Sequence, residues 1–158
     1  MKKINLVYWN EDNFGDALSP RLINELTGAK VQYKDLALSL STRLKALITL
    51  NTSKVKVSLY PWQHVLGCIG SILSWLPKGA TVWGAGFMKN GQVFKGGKVF
   101  AVRGQFTADQ LVKQGFPRCE VFGDPALLLP LWISNNVEKR YKVGIIPHWS
   151  EVEIFQQQ

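Results

Sequence analysis

The sequence predicts an open parallel α/β sheet flanked by helices, and three observations support this fold class. Short, predominantly apolar segments such as residues 4–9 and 99–102 are typical of strands buried on both faces of a parallel sheet. Segments with apolar residues at helical spacing lie between such strands, and turns rich in glycine and polar residues follow the strands directly. Strands that alternate with helices in this way form parallel sheets through right-handed crossovers.

The first strand leads into a polar loop and then into a helix. Asp16 or Ser19 is expected to cap this helix, Pro20 suits its first turn, and Gly28 ends it. Residues 30–33 predict the second strand. The order strand, helix, strand is that of a βαβ unit.

The middle of the chain has a weaker pattern. Residues 36–50 predict a helix, and residues 54–60 either alternate like a strand or form an irregular connection. Residues 64–68 predict a strand, which a turn and a short helix at residues 72–76 follow. The remaining elements are strands at residues 81–84, 99–102 and 120–122, a helix between the last two, and a further segment at residues 126–131.

Charge and composition favour a single globular domain with an anionic partner. The 158 residues are 46% hydrophobic, and 19 Lys and Arg residues against 11 Asp and Glu residues give a net charge of +8. The basic residues are scattered, and no Arg-rich helix or aromatic RNA-binding signature occurs. We therefore expect a cleft for small anions and no nucleic-acid partner.

Cysteine usage and hydropathy point to a cytoplasmic protein. Cys68 and Cys119 lie in apolar segments without a CxxC pair, so neither a metal site nor a disulfide is expected. The first apolar segment is too short for a signal peptide, and residues 65–76 are too short for a membrane span. We expect no transmembrane segment, whereas peripheral contact with a membrane and an oligomeric state stay open.

Several common cofactor and catalytic motifs are missing. The sequence has neither a GxxxxGK[ST] phosphate loop nor a GxSxG nucleophile elbow. The turn from Gly84 to Gly86 lacks the third glycine of the dinucleotide fingerprint. No cofactor is therefore expected.

The turns that follow the strands are the best candidates for a binding site. In open α/β sheets, ligands bind beyond the carboxyl ends of the strands, where glycines allow close approach and helix N-termini offer free N–H groups. The candidate residues in these turns are Asn13, Gly15, Asp16, Gly70, Ser71, Gly84, Gly86 and Arg103.

Six short segments occur in an order and at a spacing similar to those of the polysaccharide pyruvyl transferase family. They read NFGD at 13–16, GCIGS at 67–71, VWGAG at 82–86, VRGQFT at 102–107, GDPAL at 123–127 and VGIIPH at 143–148. Each segment is short, but six in order are rare by chance. The chain resembles this family over nearly its whole length.

The resemblance implies a Rossmann-like sheet that forms one half of a two-domain, glycosyltransferase-like architecture. Residues 1–138 would be the first domain, and residues 139–158 would begin a truncated second domain, with its first strand at 142–146. The family's reaction transfers a pyruvyl group from phosphoenolpyruvate to two hydroxyls of a sugar, or of a lipid-linked oligosaccharide, and releases phosphate.

The same resemblance suggests catalytic roles for Arg103, His148 and Asp124. Phosphoenolpyruvate carries two anionic groups, which the planar fork of Arg103 suits, although Arg103 is also placed for a structural salt bridge at the rim of the sheet. Ketal formation needs a proton donor and a base. His148 would face the cleft between the domains, and Asp124 is either a turn residue or that base.

Other residues are candidates for sugar contact. Asp16 either caps its helix or binds sugar hydroxyls, and Asn13 either holds the turn or points into the crevice. Trp9 and Trp149 lie beside the candidate turns and suit stacking on sugar rings. The surface around residues 127–132 is expected to be apolar.

Two other function classes stay open. A glycosyltransferase-type domain that uses a nucleotide sugar would share the architecture and differ in its donor. A non-catalytic remnant would keep only an acceptor-binding face or a dimer contact, because catalysis between two domains needs both walls of the cleft.

Overall fold

A computed structural model describes residues 2–11, 13–133, 138–147 and 151–156. Five parallel strands form one sheet in the order β2-β1-β3-β4-β5. They are β1 (Lys3–Val7), β2 (Lys30–Tyr33), β3 (Leu66–Gly67), β4 (Ala80–Trp83) and β5 (Gly97–Ala101). The predicted open parallel α/β sheet is thereby confirmed.

Helices accompany the sheet in the part of the chain that the structure describes. They are α1 (Phe14–Thr27), α2 (Leu40–Ile48), α3 (Thr52–Val57), α4 (Gln105–Lys113), the 3-10 helix (Pro125–Leu131) and α5 (Val152–Gln156). Helix α1 joins β1 to β2, and α4 follows β5.

Both faces of the sheet are covered, which explains the lack of polar alternation in the central strands. Leu6 and Val7 are neighbours in β1 and therefore point to opposite faces. Leu6 packs in a cluster with Leu22 of α1 and half-buried side chains of the 3-10 helix. Val7 belongs to a second cluster, which includes Leu76, between β3 and β4, and Leu111 of α4.

The strand order places a topological switch point between β1 and β3. The chain leaves β1 toward β2 on one side of the sheet, whereas β3, β4 and β5 follow on the other side. Connections that diverge in this way leave a crevice at the carboxyl ends of the two strands. The turns after β1 and β3 border that crevice.

The first helix begins one turn earlier than expected. Asn13 caps it, because the Asn13 side chain accepts a hydrogen bond of 3.1 Å from the backbone N–H of Asp16. The expectation that Asp16 or Ser19 is the cap is wrong, and Pro20 lies in the second turn instead of the first. Gly28 ends the helix as predicted, in a left-handed conformation with φ of 63°.

The middle of the chain is more helical than expected. Of the helix predicted at residues 36–50, only the part from Leu40 to Ile48 forms, as α2. The segment at residues 54–60, predicted as a strand or an irregular connection, belongs mostly to α3. The alternation of Lys and Val suggested a strand, but the Asn51 side chain accepts a hydrogen bond of 3.0 Å from the Lys54 N–H and so caps a helix. Local capping outweighs the alternating pattern here.

Four other predicted elements are shorter or irregular. The strand predicted at residues 64–68 keeps only Leu66–Gly67, and residues 120–122 contribute a single parallel bridge between Val102 and Phe122. Residues 72–76 are irregular instead of helical. Residues 142–146 were expected to form a strand, but they are exposed and form none in the described part of the chain. A strand needs a neighbouring strand to accept and donate its backbone hydrogen bonds.

Candidate functional site

A cavity of about 460 Å³ lies at the carboxyl ends of β1 and β3, at the switch point of the sheet. Seven of the twelve candidate residues line it, namely Trp9, Asn13, Gly15, Asp16, Gly70, Ser71 and Arg103. Its remaining lining residues are Ile69, Ile72, Trp75 and Met88. The three turns after β1, β3 and β5 thus converge on one crevice.

The turn after β3 lies at the centre of the crevice. Gly70 has a φ of 108°, and a Cβ at this position would lie 2.9 Å from a carboxylate oxygen of Asp16. The Gly70 carbonyl accepts a hydrogen bond of 3.0 Å from the Gly86 N–H. The Ser19 hydroxyl, buried on α1, accepts one of 3.2 Å from the Ile69 N–H. Only glycine fits both the backbone conformation and the nearby carboxylate at position 70.

Arg103 contacts this turn at Ser71 and is exposed. One guanidinium nitrogen, Nη1, donates to the Ser71 hydroxyl at 2.6 Å, and Nη2 donates to the Phe87 carbonyl at 3.1 Å. Among the residues that the structure describes, no carboxylate lies within ion-pair distance of Arg103. The structural salt bridge that was the alternative for Arg103 is therefore not formed by the described residues. Its neutral partners orient the guanidinium without cancelling its charge.

Asp16 supplies a half-buried carboxyl group to the crevice, beside Gly70. It is the third residue of α1, close to the free N–H groups of the helix start. Burial raises the pKa of the Asp16 carboxyl above its ordinary value. A carboxylate with a raised pKa is a better proton acceptor, and its oxygens also accept hydrogen bonds from hydroxyl groups.

Two tryptophans provide an aromatic wall. The ring centroids of Trp9 and Trp75 are 5.6 Å apart, and the rings are tilted by 47°. Trp9 is 48% exposed and lines the crevice, as expected for a residue available for stacking. Trp75 was missed as a site residue, although its place four residues after the turn at Ser71 is a signal that the sequence contains.

The other candidate residues do not line this cavity. Gly84 has a φ of 91°, and a Cβ there would overlap the Pro125 ring, so Gly84 serves packing. Gly86 lies directly below Arg103, where a Cβ would come within 3.1 Å of the Arg103 Cβ. The Asp124 side chain accepts a 2.9 Å hydrogen bond from the Ala126 N–H and caps the 3-10 helix beside a separate cavity. His148 and Trp149 lie outside the described residues.

No family model, curated protein or solved structure matches this chain. The interpretation of the crevice therefore depends on its own side chains and on the order of the sequence motifs.

Two other chemistries find little support in the described residues. They contain no group of three or more His, Cys, Asp and Glu side chains arranged to hold a metal ion. Burial raises the pKa of the Cys68 thiol to about 12, so Cys68 is protonated and a poor nucleophile at neutral pH.

None of the described helices has the length and apolar character needed to cross a bilayer.

Proposed function

We propose that this protein is a polysaccharide pyruvyl transferase of the cytoplasm and that its crevice binds phosphoenolpyruvate. The observation that carries the proposal is the Arg103 guanidinium, which lines the crevice with Ser71 and Phe87, both neutral, as its partners. A fixed cation of this kind suits a carboxylate or a phosphate, and an arginine can contact either group with two parallel hydrogen bonds. The order of the six sequence motifs supports the same donor.

The rest of the crevice suits a sugar acceptor. Apolar ring faces of sugars stack on aromatic side chains, and Trp9 is exposed for this purpose beside Trp75. Sugar hydroxyls donate hydrogen bonds to carboxylates, and Asp16 lines the same crevice as Arg103. The crevice therefore offers a cation for the donor and a carboxylate with aromatic rings for the acceptor.

The proposed reaction balances without a cofactor. Two sugar oxygens form bonds to the central carbon of phosphoenolpyruvate, and the bond from that carbon to the phosphate oxygen breaks. One hydroxyl proton appears in the new methyl group, and the other leaves with the phosphate. Asp16, with its raised pKa, accepts a proton from an attacking hydroxyl, while Arg103 holds the anionic donor.

Isothermal titration of phosphoenolpyruvate into the protein tests the donor site. Arg103→Ala should weaken binding by about ten-fold to a hundred-fold, because a hydrogen bond to a charged group contributes about 1.5–3 kcal/mol. Arg103→Lys should recover only part of the loss, since lysine keeps the charge without the planar fork. Phosphate release in the presence of candidate sugar acceptors then tests the transfer itself.

Arg118→Ala is the matched control for the titration. It removes the same charge from a side chain that already pairs with Asp109 at 2.8 Å, outside the crevice. Equal losses in Arg103→Ala and Arg118→Ala would show that binding is only a general effect of net charge. Binding of a nucleotide sugar in place of phosphoenolpyruvate would favour the glycosyltransferase alternative.

A further inference from the structure

Helix α2 directs its large apolar side chains away from the protein. Leu40, Leu44 and Ile48 are 71%, 60% and 81% exposed, and Leu47 is exposed as well. Their spacing of four, seven and eight residues from Leu40 puts them on one face of the helix. A surface helix normally buries such a face, whereas this one has no partner among the described residues.

The orientation of α2 is held from its inner side. Ala46 is the buried residue of this helix. Arg43 donates hydrogen bonds from Nη1 to the Leu59 carbonyl at 2.8 Å and from Nη2 to the Leu36 carbonyl at 3.4 Å. Because Arg43 and Ala46 face the protein, the leucine face of the helix must point outward.

The turn after α2 extends the same apolar surface. Leu50 is 81% exposed and has a φ of 49°, a conformation that is costly for a residue with a side chain. Glycine or asparagine would fit this backbone better. An exposed leucine at a strained position suggests a role in contact with something outside the chain.

The surroundings of this apolar face are basic. Lys45 on α2 and Lys54 and Lys56 on α3 are all exposed. Residues 36–58, which contain both helices, include no Asp or Glu, and their basic residues are Arg43, Lys45, Lys54 and Lys56. The complementary partner is therefore both apolar and anionic.

We propose that helix α2, the turn at Leu50 and helix α3 dock on the surface of a lipid bilayer that contains anionic headgroups. Leucine side chains would enter the boundary between headgroups and acyl chains, and the lysines would contact the headgroups, as in other interfacial amphipathic helices. The two helices leave and rejoin the sheet at the bridge between Asp35 and Ser58, beyond the carboxyl end of β2. Docking would thus hold the edge of the sheet that bears the crevice near the membrane, whatever the substrate of the crevice is.

Flotation of the 158-residue protein with lipid vesicles tests this inference. Vesicles of phosphatidylcholine with about one third phosphatidylglycerol should carry the protein upward, and pure phosphatidylcholine vesicles should not. Leu44→Ser with Ile48→Ser should reduce the bound fraction at least about ten-fold, and so should Lys45→Glu with Lys54→Glu. Binding should also weaken as salt rises, because exposed charges are screened.

The matched control is Leu127→Ser with Leu131→Ser, since those leucines are equally exposed on the 3-10 helix. It should bind vesicles like the wild type, and circular dichroism should show that every variant is folded. Absence of wild-type binding to anionic vesicles would overturn the inference, as would unchanged binding of Leu44→Ser with Ile48→Ser. If the wild type does not bind vesicles but forms a dimer, and Leu44→Ser with Ile48→Ser converts that dimer to a monomer, the face contacts a second copy of the chain instead.

Discussion

Single residues show that one sequence signal, a glycine after a strand, has two different structural causes. Gly70 allows the turn to pass beside the Asp16 carboxylate in the crevice, whereas Gly84 makes room for the Pro125 ring outside the crevice. Both have positive φ, with values of 108° and 91°. A sequence reveals the need for glycine at such positions but not the neighbour that imposes it.

Replacing Gly84 by alanine should destabilise the fold strongly. The left-handed conformation costs an alanine about 1–2 kcal/mol, and overlap of its Cβ with the Pro125 ring should add about 1–3 kcal/mol. Gly28→Ala is the control, because Gly28 has a φ of 63° with nothing within 4 Å of the added Cβ, so only the first cost applies. Urea denaturation measures both. Equal losses of unfolding free energy would contradict the packing role of Gly84.

At the scale of elements, a buried lysine attaches helices α2 and α3 to the sheet. Lys34 is 1% exposed, and its Nζ donates hydrogen bonds of 2.9 Å to the carbonyls of both Lys56 and Ser58. Burial lowers the pKa of Lys34. The side chain thus connects the end of β2 to the end of α3, where the bridge between Asp35 and Ser58 also forms.

Lys34→Met should loosen helices α2 and α3 while the rest of the sheet stays intact. The substitution leaves the buried Ser58 carbonyl without its side-chain donor, at a cost of about 1–3 kcal/mol, whereas the Lys56 carbonyl still accepts a hydrogen bond from the Gln32 side chain. Hydrogen exchange should therefore accelerate in Leu40–Ile48 and Thr52–Val57 and remain slow in Ala80–Trp83. Lys30→Met, at an exposed position of β2, is the control and should leave the exchange unchanged. Uniform acceleration over the whole chain would argue against a local attachment.

At the scale of the whole molecule, the order of the strands brings the crevice together. Ser71 and Arg103 are more than thirty positions apart in the sequence. They form a hydrogen bond because β3, β4 and β5 lie side by side in the sheet. The five strands, helices α1 to α4 and the 3-10 helix lie within residues 3–131, whereas residues 138–147 are largely exposed and contain no regular secondary structure. The domain boundary predicted after residue 138 stays a prediction.

Limited trypsin digestion should first cut after Lys139, Arg140 or Lys142. All three are exposed in a segment without regular secondary structure, so the backbone there reaches a protease active site with little local unfolding. Mass spectrometry should show an early fragment that begins at the N-terminus and ends at one of these residues. First cuts at Lys98, which lies within β5, or at the buried Lys34 would instead mean that the sheet domain opens before this segment is cleaved.

Much of the fold follows from the sequence by itself. Apolar segments without alternation require burial on both faces, and this requirement is local to each strand, so the parallel α/β class and Gly28 as the end of α1 could be predicted. The crevice turns at Asn13, Gly70 and Arg103 could also be predicted, because ligand sites of such sheets lie beyond the strand ends.

The tertiary structure decided what depends on neighbours distant in the chain. It placed Trp75 in the crevice and Gly84 and Asp124 outside it, because side-chain packing against Trp9, Pro125 and Ala126 is not encoded at any one position. It also turned the leucines of α2 outward, although helical spacing alone normally predicts a buried face. Periodicity identifies which residues share a face, but only the packing of the whole chain determines whether that face meets the core or the solvent.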